Sequence, residues 1–132
     1  MGESNAGKRP ITILLADDHA VMRSGLRMLL DAEEDFEVVA EAGDIQSLFQ
    51  QARGHRHEVL VLDLNMPGGS SIHAISTLAR ISPGTAVVVL TMEPDPNFMR
   101  QAYEAGASAY VLKEQAPTEL VEAIRTAVRA RR

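Results

Sequence analysis

The sequence contains no cysteine, no tryptophan and few aromatic residues of any kind. Without cysteine, the chain cannot form a disulfide framework, a thiolate metal site or a cysteine nucleophile. Aromatic residues make up 4% of the 132 positions whereas hydrophobic residues make up 45%, so the core must be aliphatic. The six methionines are expected to act mostly as filler in that core.

Net positive charge and long apolar runs are also lacking. The chain carries 18 acidic and 13 basic residues, a net charge of −5, which argues against direct binding of nucleic acid. No apolar run approaches the roughly 18 residues that span a membrane, and the polar start lacks the apolar segment of a secretory signal. We therefore expect a cytoplasmic protein with a disordered leader over residues 1–9 and one domain over residues 10–132.

Strand-like and helix-like segments alternate along the chain. The predicted strands are Ile11–Ala16, Phe36–Ala40, Val59–Leu62, Ala86–Leu90 and Ala109–Leu112. The predicted helices are His19–Glu34, Asp44 to about Ala52, a segment capped by Ser70 or Ser71, Phe98–Ala105 and a segment that begins near Pro117. Because the strands are continuously apolar, each must be buried on both faces. The pattern predicts an α/β domain with helices on both faces of a parallel sheet.

The order of the strands does not follow from periodicity. Five strand–helix units fit a flavodoxin-like, doubly wound sheet of order 2-1-3-4-5 better than a closed barrel of eight units. In an open parallel sheet of this kind, ligands bind at the carboxyl ends of the strands.

Polar residues stand where the predicted strands end. They are Asp17 and Asp18 after the first strand, Asp63 after the third, Thr91 after the fourth and Lys113 after the fifth. Singly, each has an ordinary explanation, such as a helix cap for Asp18 or a solvated loop position for Lys113. Together, the carboxylates need a cation, and oxygen ligands without Cys or His favour Mg²⁺. A lysine and a hydroxyl beside that ion suit a phosphoryl group.

Four segments at these positions carry a resemblance to a known family. They are Leu15 to His19 continuing as Val21 to Leu26, Asp63-Leu64-Asn65-Met66-Pro67-Gly68, Leu90-Thr91, and Gly106 to Lys113. With these motifs and the intervals between them, about residues 10–130 resemble the receiver domain of two-component response regulators. The first motif is similar to that of the NarL/FixJ (LuxR-type) subfamily.

The resemblance implies a site for phosphoryl transfer. Asp63 would accept the phosphoryl group from the phosphohistidine of a sensor histidine kinase. Asp18 and Asp63 would bind Mg²⁺ through their side chains, Asn65 through its backbone carbonyl, and Asp17 through water. Such a domain is a switch that catalyses its own phosphorylation and is not classed as an enzyme.

The resemblance also implies how phosphorylation is sensed. Lys113 would pair first with Asp63 and then with the phosphoryl oxygens. Thr91 would donate its hydroxyl to the phosphoryl group, and Tyr110 would change rotamer as Thr91 moves. Homodimerisation on phosphorylation is a possible consequence.

One position departs from the family pattern, and three histidines have ordinary explanations. Ser71 stands where family members often have glycine, eight residues after the phosphoacceptor, so the loop that leads into the next helix is expected to follow a different path. His19 is expected to begin a helix, and His55 and His57 lie in a polar loop where a metal site is not expected.

Several alternatives remain open. An aspartyl-phosphate hydrolase resembles a pattern with a second Asp two residues after the nucleophile, where this chain has Asn65, which cannot protonate a leaving group. A degenerate receiver would have lost some of the five polar residues. The NarL/FixJ resemblance further implies a C-terminal helix-turn-helix that binds promoter DNA, for which this chain has no room after about Val128. The alternative is a stand-alone receiver that acts through protein contacts.

Overall fold

The computed structural model describes residues 9–54 and 56–132. The strands are β1 (Ile11–Ala16), β2 (Phe36–Ala42), β3 (Val59–Asp63), β4 (Ala86–Thr91) and β5 (Ala109–Leu112). The helices are α1 (Ala20–Asp31), α2 (Ile45–Gly54), α3 (Ser71–Ile81), α4 (Pro96–Ala105) and α5 (Ala116–Arg129). The expected leader falls mostly on residues 1–8, which lie outside the described residues, as does His55.

The strands form one parallel sheet in the order β2-β1-β3-β4-β5, as predicted. The register aligns the carboxyl ends of the inner strands. Asp63 lies beside Leu90 on β4, and Thr91 lies beside Leu112 on β5. Consequently, Asp63, Thr91 and Lys113 follow one another along the same edge.

Each face of the sheet has its own hydrophobic core. Ile13 and Leu15 of β1 point to the core shared with α1 and α5, whereas Leu14 and Ala16 point to the core shared with α2, α3 and α4. Neighbouring residues of a strand face opposite sides of the sheet, so a strand that is apolar throughout serves both cores. This double burial explains why the strands lack an alternating pattern.

The helix caps follow the local sequence. The Asp44 side chain accepts from the backbone N–H of Ser47 at 2.7 Å, and Ser70 accepts from that of His73 at 3.2 Å. Ser70, and not Ser71, is therefore the cap of α3. Asp95 accepts from the N–H of Asn97 at 2.8 Å, so α4 begins at Pro96, two residues before the predicted Phe98.

Two further predicted boundaries, the ends of β2 and α1, and one prediction about composition are wrong. β2 continues to Ala42 and not only to Ala40, because its pairing with β1 extends until Ala42 lies opposite Ala16. α1 ends at Asp31 and not at Glu34, because a turn closed by the Phe36 N–H on the Glu33 carbonyl at 3.2 Å redirects the chain into β2. α5 begins at Ala116, after a short 3-10 turn over Lys113–Gln115, which agrees with the predicted start near Pro117. Among the described methionines only Met66 is buried, because branched strand residues and helix leucines and alanines already fill both cores; the exposed ones are Met22, Met28, Met92 and Met99.

Across residues 9–54 and 56–132, none of the helices combines the length and apolar character needed to cross a bilayer.

Candidate functional site

The structure brings Asp17, Asp63 and Lys113 into direct contact at the carboxyl edge of the sheet. The Nζ atom of Lys113 lies 3.3 Å from Oδ2 of Asp17 and 3.2 Å from Oδ2 of Asp63. All three side chains are buried, and the two carboxylates are almost completely so. The strand register causes this convergence, since β1, β3 and β5 end at the same level.

In each of the two buried aspartates, one carboxylate oxygen accepts from a backbone N–H and the other lies near Lys113. Oδ1 of Asp17 accepts from the backbone N–H of His19 at 2.8 Å, and Oδ1 of Asp63 accepts from that of Asn65 at 3.0 Å. These bonds to the second following residue fix the rotation of each carboxylate. The Oδ2 atoms consequently turn towards Lys113.

Burial dominates the electrostatics of Asp63. Loss of solvent raises the pKa of the Asp63 carboxyl, and the N–H of Asn65 and the ammonium of Lys113 oppose this rise only partly. The neighbouring Asp17 carboxylate raises the pKa of Asp63 further. A group with this combination of burial and charged neighbours is typical of a functional site.

The donor set fits a hard divalent cation. Within the described parts of the chain, Oδ2 of Asp17, Oδ1 of Asp18 and Oδ2 of Asp63 are buried and accept no hydrogen bond of good geometry. Ligand atoms of these three residues and of His19 lie within 4.8 Å of one another. Unsatisfied buried oxygens are costly, and a cation would satisfy them. Oxygen donors of this kind are those that Mg²⁺ prefers in proteins.

Two surface grooves in the described part of the chain lie away from this cluster. Two grooves of about 730 and 850 Å³ open beside the beginnings of the strands, where Arg9 contributes to both. The acidic site is thus identified by its chemistry and not by the size of a cavity.

Over residues 13–125, the sequence matches the profile of the response regulator receiver domain. The chain belongs to the response regulator receiver domain family. The flavodoxin-like fold predicted from the alternation of strands and helices is confirmed by the observed strand order.

Three relatives show where this receiver domain stands within the family. The oxygen regulatory protein NreC of Staphylococcus epidermidis is 42% identical over 115 residues, which are 86% of this chain and 53% of that protein. A LuxR-family two-component response regulator from Aurantimonas sp. SI85-9A1 is 35% identical with a TM-score of 0.87, covering 93% of this chain and 88% of that chain. RcsB from Salmonella enterica serovar Typhimurium, solved with promoter rprA and the phosphomimetic BeF3-, is 32% identical with a TM-score of 0.81, covering 87% of this chain and 66% of that chain.

These relatives confirm the resemblance to LuxR-type regulators. The receiver domain spans about half the length of the curated relatives it matches.

The two residues expected to sense phosphorylation meet at the loop after β4. Thr91 is buried, and its Oγ1 accepts from the N–H of Glu93 at 3.0 Å. The hydroxyl of Tyr110 donates to the carbonyl of Glu93 at 2.8 Å. Burial raises the pKa of the Tyr110 phenol, which therefore remains a hydrogen-bond donor at neutral pH. Thr91 and Tyr110 both bond the backbone of Glu93, so a movement of Thr91 would displace the carbonyl that accepts from Tyr110.

Ser71 fills the position where the receiver family often has glycine. Its side chain is buried, and Oγ donates to the backbone carbonyl of Asp63 at 3.4 Å. Gly68 and Gly69, with φ of 102° and 139°, supply the positive φ angles of the intervening loop. The serine therefore begins α3 and contacts the loop that carries Asp63.

Sequence reasoning missed a histidine and an arginine at the site. His19 stands before α1 as expected, but its Nδ1 also lies 3.1 Å from Oδ1 of Asp18. Arg23 donates from Nη1 to the backbone carbonyl of Asp17 at 2.5 Å. The adjacency of His19 to the acidic pair could have indicated its position. Arg23 lies one helical turn further along, and no pattern in the sequence connects it to Asp17.

Proposed function

We propose that this receiver domain accepts a phosphoryl group on Asp63 in a Mg²⁺-dependent reaction. One observation supports the choice of Asp63 above all others: Oδ2 is buried and lies 3.2 Å from the ammonium of Lys113, whereas Oδ1 is fixed by the N–H of Asn65. A carboxylate held in this way presents one oxygen as a nucleophile. Asp17 presents its Oδ2 in a similar manner but lies one strand away from the central β3.

In the proposed step, Oδ2 of Asp63 attacks the phosphorus atom of a phosphohistidine. An O–P bond forms as the P–N bond breaks, and the departing imidazole keeps the electron pair and takes up a proton. The transition state of such a transfer is loose, so positioning and neutralisation of charge supply most of the catalysis. Lys113 supplies one positive charge beside the nucleophile.

The residues that would hold Mg²⁺ are Asp18 and Asp63 through their carboxylates and Asn65 through its backbone carbonyl, with Asp17 acting through water. When bound, Mg²⁺ supplies positive charge to the phosphoryl oxygens. The buried Oδ1 of Asp18, which accepts no hydrogen bond, and the convergence of ligand atoms from Asp17, Asp18 and Asp63 within 4.8 Å support this assignment.

After transfer, Thr91 would exchange the N–H of Glu93 for a bond from its hydroxyl to a phosphoryl oxygen. Lys113 would turn from Asp63 to the new anion. Tyr110 would then leave the Glu93 carbonyl and change the exposed surface formed by α4, β5 and α5. The shared attachment of both side chains to Glu93 supports this coupling.

In the whole protein, we propose that a sensor histidine kinase in the same cell donates the phosphoryl group to this domain in the cytoplasm. The output is a LuxR-type DNA-binding domain, and dimerisation on phosphorylation controls its binding to DNA. The promoter complex of RcsB supports such an output. A stand-alone receiver that acts through protein contacts is the alternative.

Acetyl phosphate with Mg²⁺ tests the proposed chemistry without the kinase. A receiver gains one phosphoryl group per chain, and this group persists on the protein. No labelling is expected when EDTA replaces Mg²⁺ in the reaction. Rapid hydrolysis of many phosphoesters without a labelled protein would indicate a hydrolase. Absence of both labelling and hydrolysis would indicate a degenerate receiver.

A further inference from the structure

Arg23 connects the acidic pair to the end of a neighbouring strand. It lies in the first turn of α1, where its own N–H bonds the carbonyl of His19 at 2.8 Å. Its Nη1 donates to the backbone carbonyl of Asp17 at 2.5 Å, and its Nε donates to Oε1 of Glu41 at 2.9 Å. The side chain retains only 24% of its exposure, so both bonds are partly shielded from water.

Glu41, near the end of β2, anchors this arginine. Its other oxygen accepts from Nη1 of Arg27, which lies one turn further along α1. Burial would raise the pKa of Glu41, but the hydrogen bonds from Arg27 and Arg23 outweigh it and lower that pKa. Glu41 is thus a charged acceptor that two arginines of the same helix share.

The backbone of Asp17 is consequently hydrogen-bonded through both its N–H and its carbonyl group. The N–H of Asp17 donates directly to the carbonyl of Ala42 at 3.0 Å, and its carbonyl is held by Arg23, which is itself fixed by Glu41. The Asp17–Asp18 turn therefore has little freedom to rotate. Its orientation decides where Oδ2 of Asp17 and Oδ1 of Asp18 converge.

We propose that Arg23 is a positioning residue for the acidic pair, and that it acts on cation binding through the backbone of Asp17. This inference rests on the proposed Mg²⁺-dependent function. Without the guanidinium, the Asp17 carbonyl loses a charge-assisted bond and the turn samples orientations in which the carboxylates no longer converge. Loss of an outer partner that orients ligands typically weakens metal binding about 10–100-fold.

Arg27 provides a matched control. It lies on the same helix and bonds the same Glu41 carboxylate, but its other ionic partner is Asp31 and not the acidic pair. Removal of Arg27 takes away one of the two bonds between α1 and the Glu41 carboxylate and leaves the bond on the Asp17 carbonyl in place. A purely structural role of Arg23 would therefore give the two arginine variants the same phenotype.

The test measures the melting temperature of the full chain as MgCl2 is added, for wild type, Arg23→Ala and Arg27→Ala. The concentration that gives half of the maximal rise should increase about tenfold in Arg23→Ala and less than about twofold in Arg27→Ala. The initial rate of labelling by acetyl phosphate at limiting Mg²⁺ should fall in the same order. Equal midpoints in the two variants would overturn the positioning role.

A lysine variant covers the case in which Arg23→Ala does not fold. Arg23→Lys keeps the charge but cannot bridge the Asp17 carbonyl and the Glu41 carboxylate with one planar group. Its Mg²⁺ midpoint should also increase, and a midpoint equal to that of wild type would overturn the inference. Failure of the proposed function looks different: wild type itself would then show neither labelling nor a response to Mg²⁺.

Discussion

At the scale of single residues, the site is organised by how each buried aspartate uses its two oxygens. Asp17 and Asp63 each give Oδ1 to a backbone N–H two residues further along and leave Oδ2 for Lys113. One ammonium group cannot balance the three carboxylates of the cluster at neutral pH. The residual negative charge favours the binding of a cation and is expected to lower the stability of the domain without one.

Asp63→Asn is expected to stabilise the protein in the absence of divalent cations. Because the folded state raises the pKa of Asp63, the native chain binds more protons than the unfolded chain above the ordinary pKa of about 3.9. The stability of wild type therefore falls as the pH rises from that value to the raised pKa, and the penalty persists above it.

Asparagine removes this penalty and can still accept from the N–H of Asn65. A gain of about 1 kcal/mol corresponds to about 3–5 °C in a domain of this size. Thermal unfolding in EDTA at pH 7 and at low pH checks this expectation, and the two proteins should differ more at pH 7. A variant that is less stable than wild type at pH 7 would show that the carboxylate is not penalised by burial.

Thr91→Ala is expected to separate phosphorylation from the response to it. The hydroxyl would gain a charge-assisted bond to the phosphoryl group, worth about 1.5–3 kcal/mol, which changes a two-state ratio by about one to two orders of magnitude. The variant should still be labelled by acetyl phosphate, but the NMR signals of Tyr110 should shift much less than in wild type. Thr91→Ser retains the hydroxyl and should respond as wild type does. Equal shifts at Tyr110 in wild type and Thr91→Ala would refute the coupling.

The sequence predicted the residues at the strand ends but not the residues that hold them. Asp63 and Lys113 stand directly after apolar runs, and strand ends of a parallel sheet share one edge, so their proximity followed from the topology. The contact of Arg23 with Asp17 depends on a side-chain rotamer and on the relative position of α1 and β2. Neither the rotamer nor the relative position of α1 and β2 can be predicted from the periodicity of the sequence.

At the scale of elements, burial determined which boundaries could be predicted. Val59–Asp63 and Ala86–Thr91 are buried throughout, and their apolar runs gave the strand limits to within one residue. The end of α1 was predicted three residues too late, because the stretch Ala32–Glu34 continues a helix-compatible composition. A turn set by tertiary packing of Phe36 ends the helix there.

Arg125 attaches the C-terminal helix α5 to residues that lie just before β2. Its guanidinium bonds Asp35 twice, at 3.2 and 2.8 Å, and Glu33 at 2.8 Å. It also lies 5.1 Å from the centroid of the Phe36 ring. This contact connects α5 to the turn between α1 and β2.

Arg125→Lys is expected to lower the free energy of unfolding by about 1 kcal/mol, because a lysine cannot reproduce the two-pronged bond or the stacking on Phe36. Arg129→Lys is the control, since Arg129 is exposed and bonds only Oγ1 of Thr126 at 3.2 Å in the described structure. Its effect should remain within about 0.5 kcal/mol. Urea denaturation followed by circular dichroism measures both, and equal effects of the two substitutions would contradict the attachment of α5 through Arg125.

At the scale of the whole molecule, the apolar pattern and the motif intervals were sufficient for the fold. Continuous apolar strands required two helical layers, and the five strand–helix units fit an open sheet. The pattern could not predict which apolar residues lie on the exposed surface. Met28 and Met92 are each 73% exposed although their residue type suggested a place in the core. Apolar character alone does not distinguish a core position from a contact surface.

Mg²⁺ is expected to stabilise the whole domain. Binding to the native acidic cluster, with little affinity for the unfolded chain, adds about 2.7 kcal/mol when the cation reaches 100 times its dissociation constant. Differential scanning calorimetry with MgCl2, compared with NaCl at equal ionic strength, measures the effect. The rise in melting temperature should be much smaller in Asp63→Asn, which lacks one of the carboxylates. Identical melting temperatures of wild type in MgCl2 and in EDTA would contradict a cation site.

Site-resolved mass spectrometry after labelling by acetyl phosphate and Mg²⁺ shows whether Asp63 is the phosphoryl acceptor. Borohydride reduction of the acyl phosphate would mark the modified side chain before proteolysis. One mark per chain is expected, located at Asp63, and none is expected in Asp63→Asn under the same conditions. Labelling of Asp63→Asn to the level of wild type, or a mark at Asp17 or Asp18 in the native sequence, would contradict it.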